Sequence, residues 1–221
     1  MDGRHSTLRE QRRAETQRMI QAHAVRLFVE RGYDGTTVND VAEAAGVSPM
    51  TVYRHFPTKE DLVLLDQNGP LVAERIAATP AGQPVVRRIG AALVDSARAL
   101  TVGDDRFLLA RLRLMISTPA LRARHLDNHH LLQQAIVNGL GSEGDDPEAA
   151  FHAAAAASAC LAAMHTALVR WAEDDGRDDL GDLITQAFAA AFGDQAEAPG
   201  RSGAATGSRS RRATGGTPAH P

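Results

Sequence analysis

The sequence predicts an all-α protein of about nine helices, with a three-helix head at the N-terminus and a larger helical bundle behind it. Three observations predict this class. Alanine is used heavily while aromatic residues make up only 4% of the 221 residues, a balance that favours helices over sheets. No run of alternating apolar and polar residues marks a strand, and no segment repeats. Glycine and proline fall at intervals that cut the chain into pieces of helical length.

The elements follow in order. Residues 1–12 are polar and charged and read as a disordered arm. A first helix over about 13–31 places Ile20, Ala24, Leu27 and Phe28 on one face and ends at Gly32-Tyr33. Thr37 caps a second, over about 38–45, whose apolar positions are Val38, Val41, Ala42 and Ala45. Gly46 then supplies a residue that tolerates φ > 0 where that helix stops. Ser48 caps a third helix, over about 49–55; Pro49 sits at its first position, where a missing N–H costs nothing, and Pro57 closes it. A fourth is expected to begin after Thr58, which forms a capping box with Asp61, and to run through Leu62–Leu65, Val72 and Ile76. Asn68-Gly69-Pro70 should kink or break it. Further helices are expected over 85–102, 105–116, 119–140, 147–174 and 178–192. The segment 193–221 is rich in Gly, Ser, Ala, Pro and Arg and reads as a disordered tail. The divisions are thus an arm (1–12), a head (13–60), a body (61–192) and a tail (193–221).

The stretch TTVNDVAEAAGVSPMTVYRHFPTKEDL, residues 36–62, is the most telling. A short helix, a glycine turn and a second short helix make a helix-turn-helix, whose second helix enters the DNA major groove. Val52 and Phe56, spaced i, i+4, should pack inward on Val41, Leu27 and Phe28. That leaves Ser48, Pro49, Met50, Thr51, Tyr53 and Arg54 on or near the outer surface. Met50 and Thr51 can touch thymine methyl groups, and Arg54 can reach a guanine edge. Ser48, Thr37 and Thr58 also read as plain helix caps, and the two roles can coexist. A net charge of −3 does not exclude nucleic acid, because distribution matters more than total. Up to Arg26 there are six arginines against three acids, while acids cluster later, in GSEGDDPE and WAEDDGRDDLGD.

Residues 16–62 resemble the DNA-binding head of the TetR family of bacterial repressors. The apolar first helix, Gly32-Tyr33, Thr36-Thr37-Val38, the Ala42-x-x-Ala45-Gly46-Val47-Ser48 run, Val52-Tyr53-x-His55-Phe56 and Lys59-Glu60-x-Leu62 all follow the family pattern. The resemblance implies that Tyr53, His55 and Lys59 meet phosphates, with Thr37 adding a hydroxyl or backbone N–H contact. It also implies a two-fold dimer through the last two helices, since one such head reads too few base pairs. The residues expected at that interface are Ala154, Ser158, Leu161, Leu168, Leu180, Leu183, Ile184 and Phe188.

Beyond residue 80 there is no phosphate-binding loop, no nucleophile elbow and no H-E-x-x-H, so no enzyme is expected. One cysteine, Cys160, excludes an intrachain disulfide and fits a reducing cytoplasm. No stretch reads as long enough and free enough of charge to span a bilayer, so a cytoplasmic protein with no membrane partner is expected. His125 and His129 share a helix face, but nothing in the spacing fixes a third ligand; neither a metal nor a cofactor is expected. Polar residues inside otherwise apolar helices point to a cavity for a hydrophobic ligand. The candidates are Arg106, Phe107, Arg111, Met115, His125, His129, Met164 and His165. Residues 106–132 resemble the sensor half of TetR-type regulators of acyl-CoA-like ligands, which implies arginines at a cavity mouth. The expectation is a homodimeric repressor of a palindromic operator, released by a small hydrophobic effector. An architectural or adaptor protein without an effector, an activator, and an enzyme anchored by its head remain as alternatives.

Overall fold

The computed structural model describes residues 3–64, 69–101, 105–141 and 146–193. Among these residues there are nine α-helices and no strand: α1 (Gly3–Arg31), α2 (Val38–Ala44), α3 (Pro49–His55), α4 (Gly69–Ala77), α5 (Val85–Thr101), α6 (Asp105–Ser117), α7 (Pro119–Leu140), α8 (Pro147–Glu173) and α9 (Leu180–Phe192), with a single 3-10 turn at Glu60–Leu62. The tail from residue 194 onward lies outside the described residues.

Two elements differ from the sequence reading. Helix α1 starts at Gly3, taking in most of the stretch read as a disordered arm. Leu8 to Glu15 is an unbroken run of good helix formers with no proline or glycine, so the helix has nothing to stop it. The fourth helix does not run on from Thr58. The Thr58–Asp61 capping box is present, with both backbone N–H groups bonded to the opposite side chain at 3.0 and 3.3 Å, but it opens only the 3-10 turn. Gly69-Pro70 then begins α4, because proline in a first helical turn loses no hydrogen bond. The same dipeptide that looked like an interruption is a start.

The local chemistry of the head is as expected. Thr37 caps α2 in a full capping box: its N–H and hydroxyl both donate to Asp40 Oδ2, and its oxygen accepts from the Asp40 N–H. Those hydrogen bonds hold the Asp40 carboxyl below its usual range. Gly46 takes φ +65°, reversing the chain between α2 and α3.

The described residues form two apolar cores. One is the head core, where Ile20, Leu27, Phe28, Val41, Val52 and Phe56 meet Leu62, Val63 and, from the body, Leu121 of α7. The other is the bundle core, from Leu64 through α4–α9 to Phe188. The seam between the cores falls between adjacent residues, Val63 and Leu64. Helices α4 and α7 pack tightly at Gly139, where an added Cβ would stand 2.7 Å from the Ala73 Cα and carbonyl oxygen. A methyl there meets backbone, which cannot rotate away. Gly139→Ala is expected to destabilise the fold by about 1–3 kcal/mol, read as a lower urea midpoint at unchanged m.

Helix α8 corrects the expectation about membranes: by length and composition it could cross one, with a mean hydropathy of 1.4. Alanine accounts for that value, and Leu161, Leu168 and Trp171 are sunk in the bundle core. The indole Nε1 of Trp171 donates to the Asp178 carbonyl at 2.8 Å, pinning the α8–α9 turn.

Candidate functional site

The outer face of the head is built on α3. Ser48 accepts the Thr51 N–H at 3.1 Å and shares a 2.9 Å hydrogen bond with its hydroxyl, fixing the start of the helix. Val52 and Phe56 are buried in the head core and fix its rotation. What remains outward is Ser48, Pro49, Met50, Tyr53 and Arg54, with Met50 75% exposed and Tyr53 49%. Met50 is thus a large apolar side chain held in solvent on a two-turn helix. Thr51 and His55 are half-buried at its edge, and Thr37 is exposed at the start of α2. Burial, then the nearby Arg54 and Arg13, push His55 below its ordinary value, so it faces this surface as a neutral imidazole at neutral pH. The neighbouring Arg13, on α1, was missed by the sequence reading; only the fold brings it to α3.

Lys59 sits differently from the other expected DNA contacts. Its ammonium donates to the Tyr33 carbonyl at 2.6 Å, at the end of α1, and lies 4.1 Å from the centre of the Tyr33 ring. The Tyr33 hydroxyl donates to Glu60 at 2.9 Å, and burial together with that carboxylate raises the phenol well above its usual range. In this structure Lys59 ties α1 to the 3-10 turn.

A second site is a cavity of about 110 Å3 in the body. Its wall is almost wholly apolar, supplied by every helix from α4 to α9 and by Leu64. Of the eight residues expected at a ligand cavity, Met115, His125, His129 and Met164 line it. His165 lies beside it, its ring 5.3 Å from that of His125 and 5.8 Å from that of His129. Asn128, buried in the same wall, was not foreseen, although 125, 128, 129 and 132 follow helical spacing and could have flagged it. Cys160 takes no part: it is fully buried, and burial pushes its thiol up to about 12.

The arginines expected at the cavity mouth are elsewhere. Arg111 is buried, and its guanidinium donates to the Val63 carbonyl at 2.7 Å and the Leu64 carbonyl at 2.6 Å. It thus holds the seam between the two cores, and packs 5.4 Å from the Phe107 ring. Arg113 donates to the Ala172 carbonyl at 3.2 Å and pairs with Asp175. Arg106 lines a separate open cleft beside Gly32 and Tyr33. Arg111 is the buried one of the three, and a buried guanidinium must be met by hydrogen-bond acceptors, here two backbone carbonyls.

The expected dimer residues are likewise placed in one chain's interior. Leu161, Leu168, Leu180, Leu183, Ile184 and Phe188 are all buried in the bundle core. Phe188 lies against α5, where a Cβ on Gly90 would be 3.2 Å from its ring. The physical reason is that α5 offers α9 an apolar face within the same chain. Ser158 and the half-buried Ala154 stay at the surface, both bonded to Gln133 of α7.

Residues 20–65 match the family model described as bacterial regulatory proteins, tetR family, and residues 83–192 match that described as the MftR C-terminal domain. The chain is 32% identical over 126 residues to the HTH-type transcriptional regulator TcmR of Streptomyces glaucescens, covering 54% of this chain and 56% of that protein. It is 34% identical over 118 residues to the HTH-type transcriptional repressor AcnR of Corynebacterium glutamicum, covering 51% and 57%. The chain therefore spans little more than half the length of these curated relatives. Among solved structures, Thermus thermophilus FadR in complex with lauroyl-CoA matches with a TM-score of 0.50 at 22% identity, covering 85% of this chain and all of that one. That likeness is one of fold.

Proposed function

The chain belongs to the TetR family of bacterial regulatory proteins, and from that premise we propose that it is a cytoplasmic, homodimeric transcriptional repressor, released from its operator by a small apolar effector. The observation that carries the proposal is the α3 face: Met50, Tyr53 and Arg54 presented outward on a helix whose rotation Val52 and Phe56 fix. Two such faces, related by a two-fold axis, read the two halves of an inverted repeat. Since the apolar stripe of α9 is spent inside the chain, the dimer seam is assigned to the exposed small residues Ala155, Ala159, Ala162 and Thr166 of α8, with Gln186, Ala189 and Ala190 of α9.

The effector site is the body cavity. A volume near 110 Å3 suits a compact apolar molecule, and none of Arg106, Arg111 and Arg113 lines it to meet a phosphate. Release travels along α6. Leu108, Leu112 and Met115 line the cavity, and Arg111 on the same helix grips the carbonyls of Val63 and Leu64, where the head core ends. An effector that displaces α6 therefore displaces the head, and a preference of about 1–3 kcal/mol for the displaced state is enough to matter.

Genomic fragments selected by the purified protein test the reading. They are expected to share one inverted repeat, and Arg54→Ala is expected to relax preference at one position of each half by about 1–3 kcal/mol. Selection of unrelated fragments without a common repeat would favour an architectural protein instead.

A further inference from the structure

We propose that His125, His129 and His165 form a binding site for a divalent transition metal of the zinc class, with its remaining coordination position opening onto the body cavity. The sequence offered two of these residues, one turn apart on α7; the fold brings the third from α8. One ring nitrogen of each lies within 4.8 Å of the others. The rings stand 4.4, 5.3 and 5.8 Å apart between centres. Metal–imidazole bonds of about 2.0–2.1 Å set a tetrahedral edge of roughly 3.3 Å, so small side-chain rotations close the triangle. The backbone beneath is held: Gln133 of α7 donates to the Ala154 carbonyl and the Ser158 hydroxyl of α8, at 3.1 and 2.8 Å.

The state of the nitrogens supports the same assignment. His125 Nε2, His129 Nε2 and His165 Nδ1 are buried and have no hydrogen-bond partner. One orphaned buried polar atom is an ordinary imperfection; three converging on one spot call for a shared partner. Cation-specific recognition by hard carboxylates is not on offer here, since imidazole alone suits zinc, copper, cobalt or nickel over magnesium and calcium.

The chemistry of the fourth position follows. With three imidazoles bound, the ion would keep its double charge beside an apolar cavity, and a small anion such as hydroxide, or the carboxylate of a compact effector, would complete its shell. The assignment of the metal site stands independently of the repressor reading, and its test uses no DNA.

Chelator-treated, tag-free protein titrated with Co2+ is expected to bind one ion per chain, with the strong visible absorption of four-coordinate cobalt, bleached by added Zn2+. The absorption is expected to vanish in a His129→Ala/His165→Ala double variant and to survive in His130→Ala, whose ring is exposed on the same helix. For the zinc-loaded wild type, X-ray absorption is expected to show three imidazoles and one oxygen, a readout that requires no variant to fold. Absence of the visible bands in the wild type, their survival in the double variant, or a shell containing sulfur would each overturn the site.

Discussion

Arg111→Met is expected to lower stability by about 2–4 kcal/mol, a large fraction of what a folded domain has to spare. The methionine fills much of the same volume but leaves the carbonyls of Val63 and Leu64 buried without their donors. The urea midpoint reads the loss. Arg111→Lys is expected to recover only part of it, since one ammonium cannot span two carbonyls as a planar guanidinium does. The variant also bears on release. In protein that remains folded, operator binding should persist while the effector's influence on it falls, because the tie between α6 and the head is gone. Unchanged effector response in Arg111→Met would mean that occupancy reaches α3 by another route.

Ala162→Arg is expected to give a monomer by size exclusion with light scattering. It should also lose at least about a hundredfold in operator affinity, the gain that bivalent engagement supplies. Residue 162 is exposed in the single chain, so the arginine has room and the melting of the monomer should change little. In the proposed dimer it would face its two-fold copy across a seam of small residues, placing two like charges together. Ala91→Arg, at an exposed position of α5, is the matching control and should stay dimeric. A dimer that survives Ala162→Arg would move the seam away from α8.

The helices α5–α9 were legible nearly to the residue, because Pro84, Pro119, Pro147 and the glycines mark helix starts and stops through backbone geometry alone. The head was legible for a second reason. Its caps, its turn glycine and its inward pair Val52–Phe56 all specify the same arrangement, and agreement across levels leaves little freedom. What failed was partner choice. The stripe Leu180, Leu183, Ile184, Phe188 announces an apolar neighbour, but periodicity carries no label saying whether that neighbour is α5 or a second chain. The arginines of α6 failed in the same way: their helix was right, while the carbonyls they bind lie 48 and 59 residues away in the chain. His165 joins His125 and His129 only through the packing of α8 on α7, a contact between residues far apart that no local pattern encodes.

Leu121, at the first turn of α7, is fully buried in the head core. Transplanting such a head onto another body would therefore need more than a matching joint at residue 64. The recipient's seventh helix must carry a leucine-sized plug at the right height, or the graft opens a hole beneath the DNA-reading helices. Head and body in this chain are thus not interchangeable parts: one residue of the body completes the head, and any exchange of heads would have to carry its plug along.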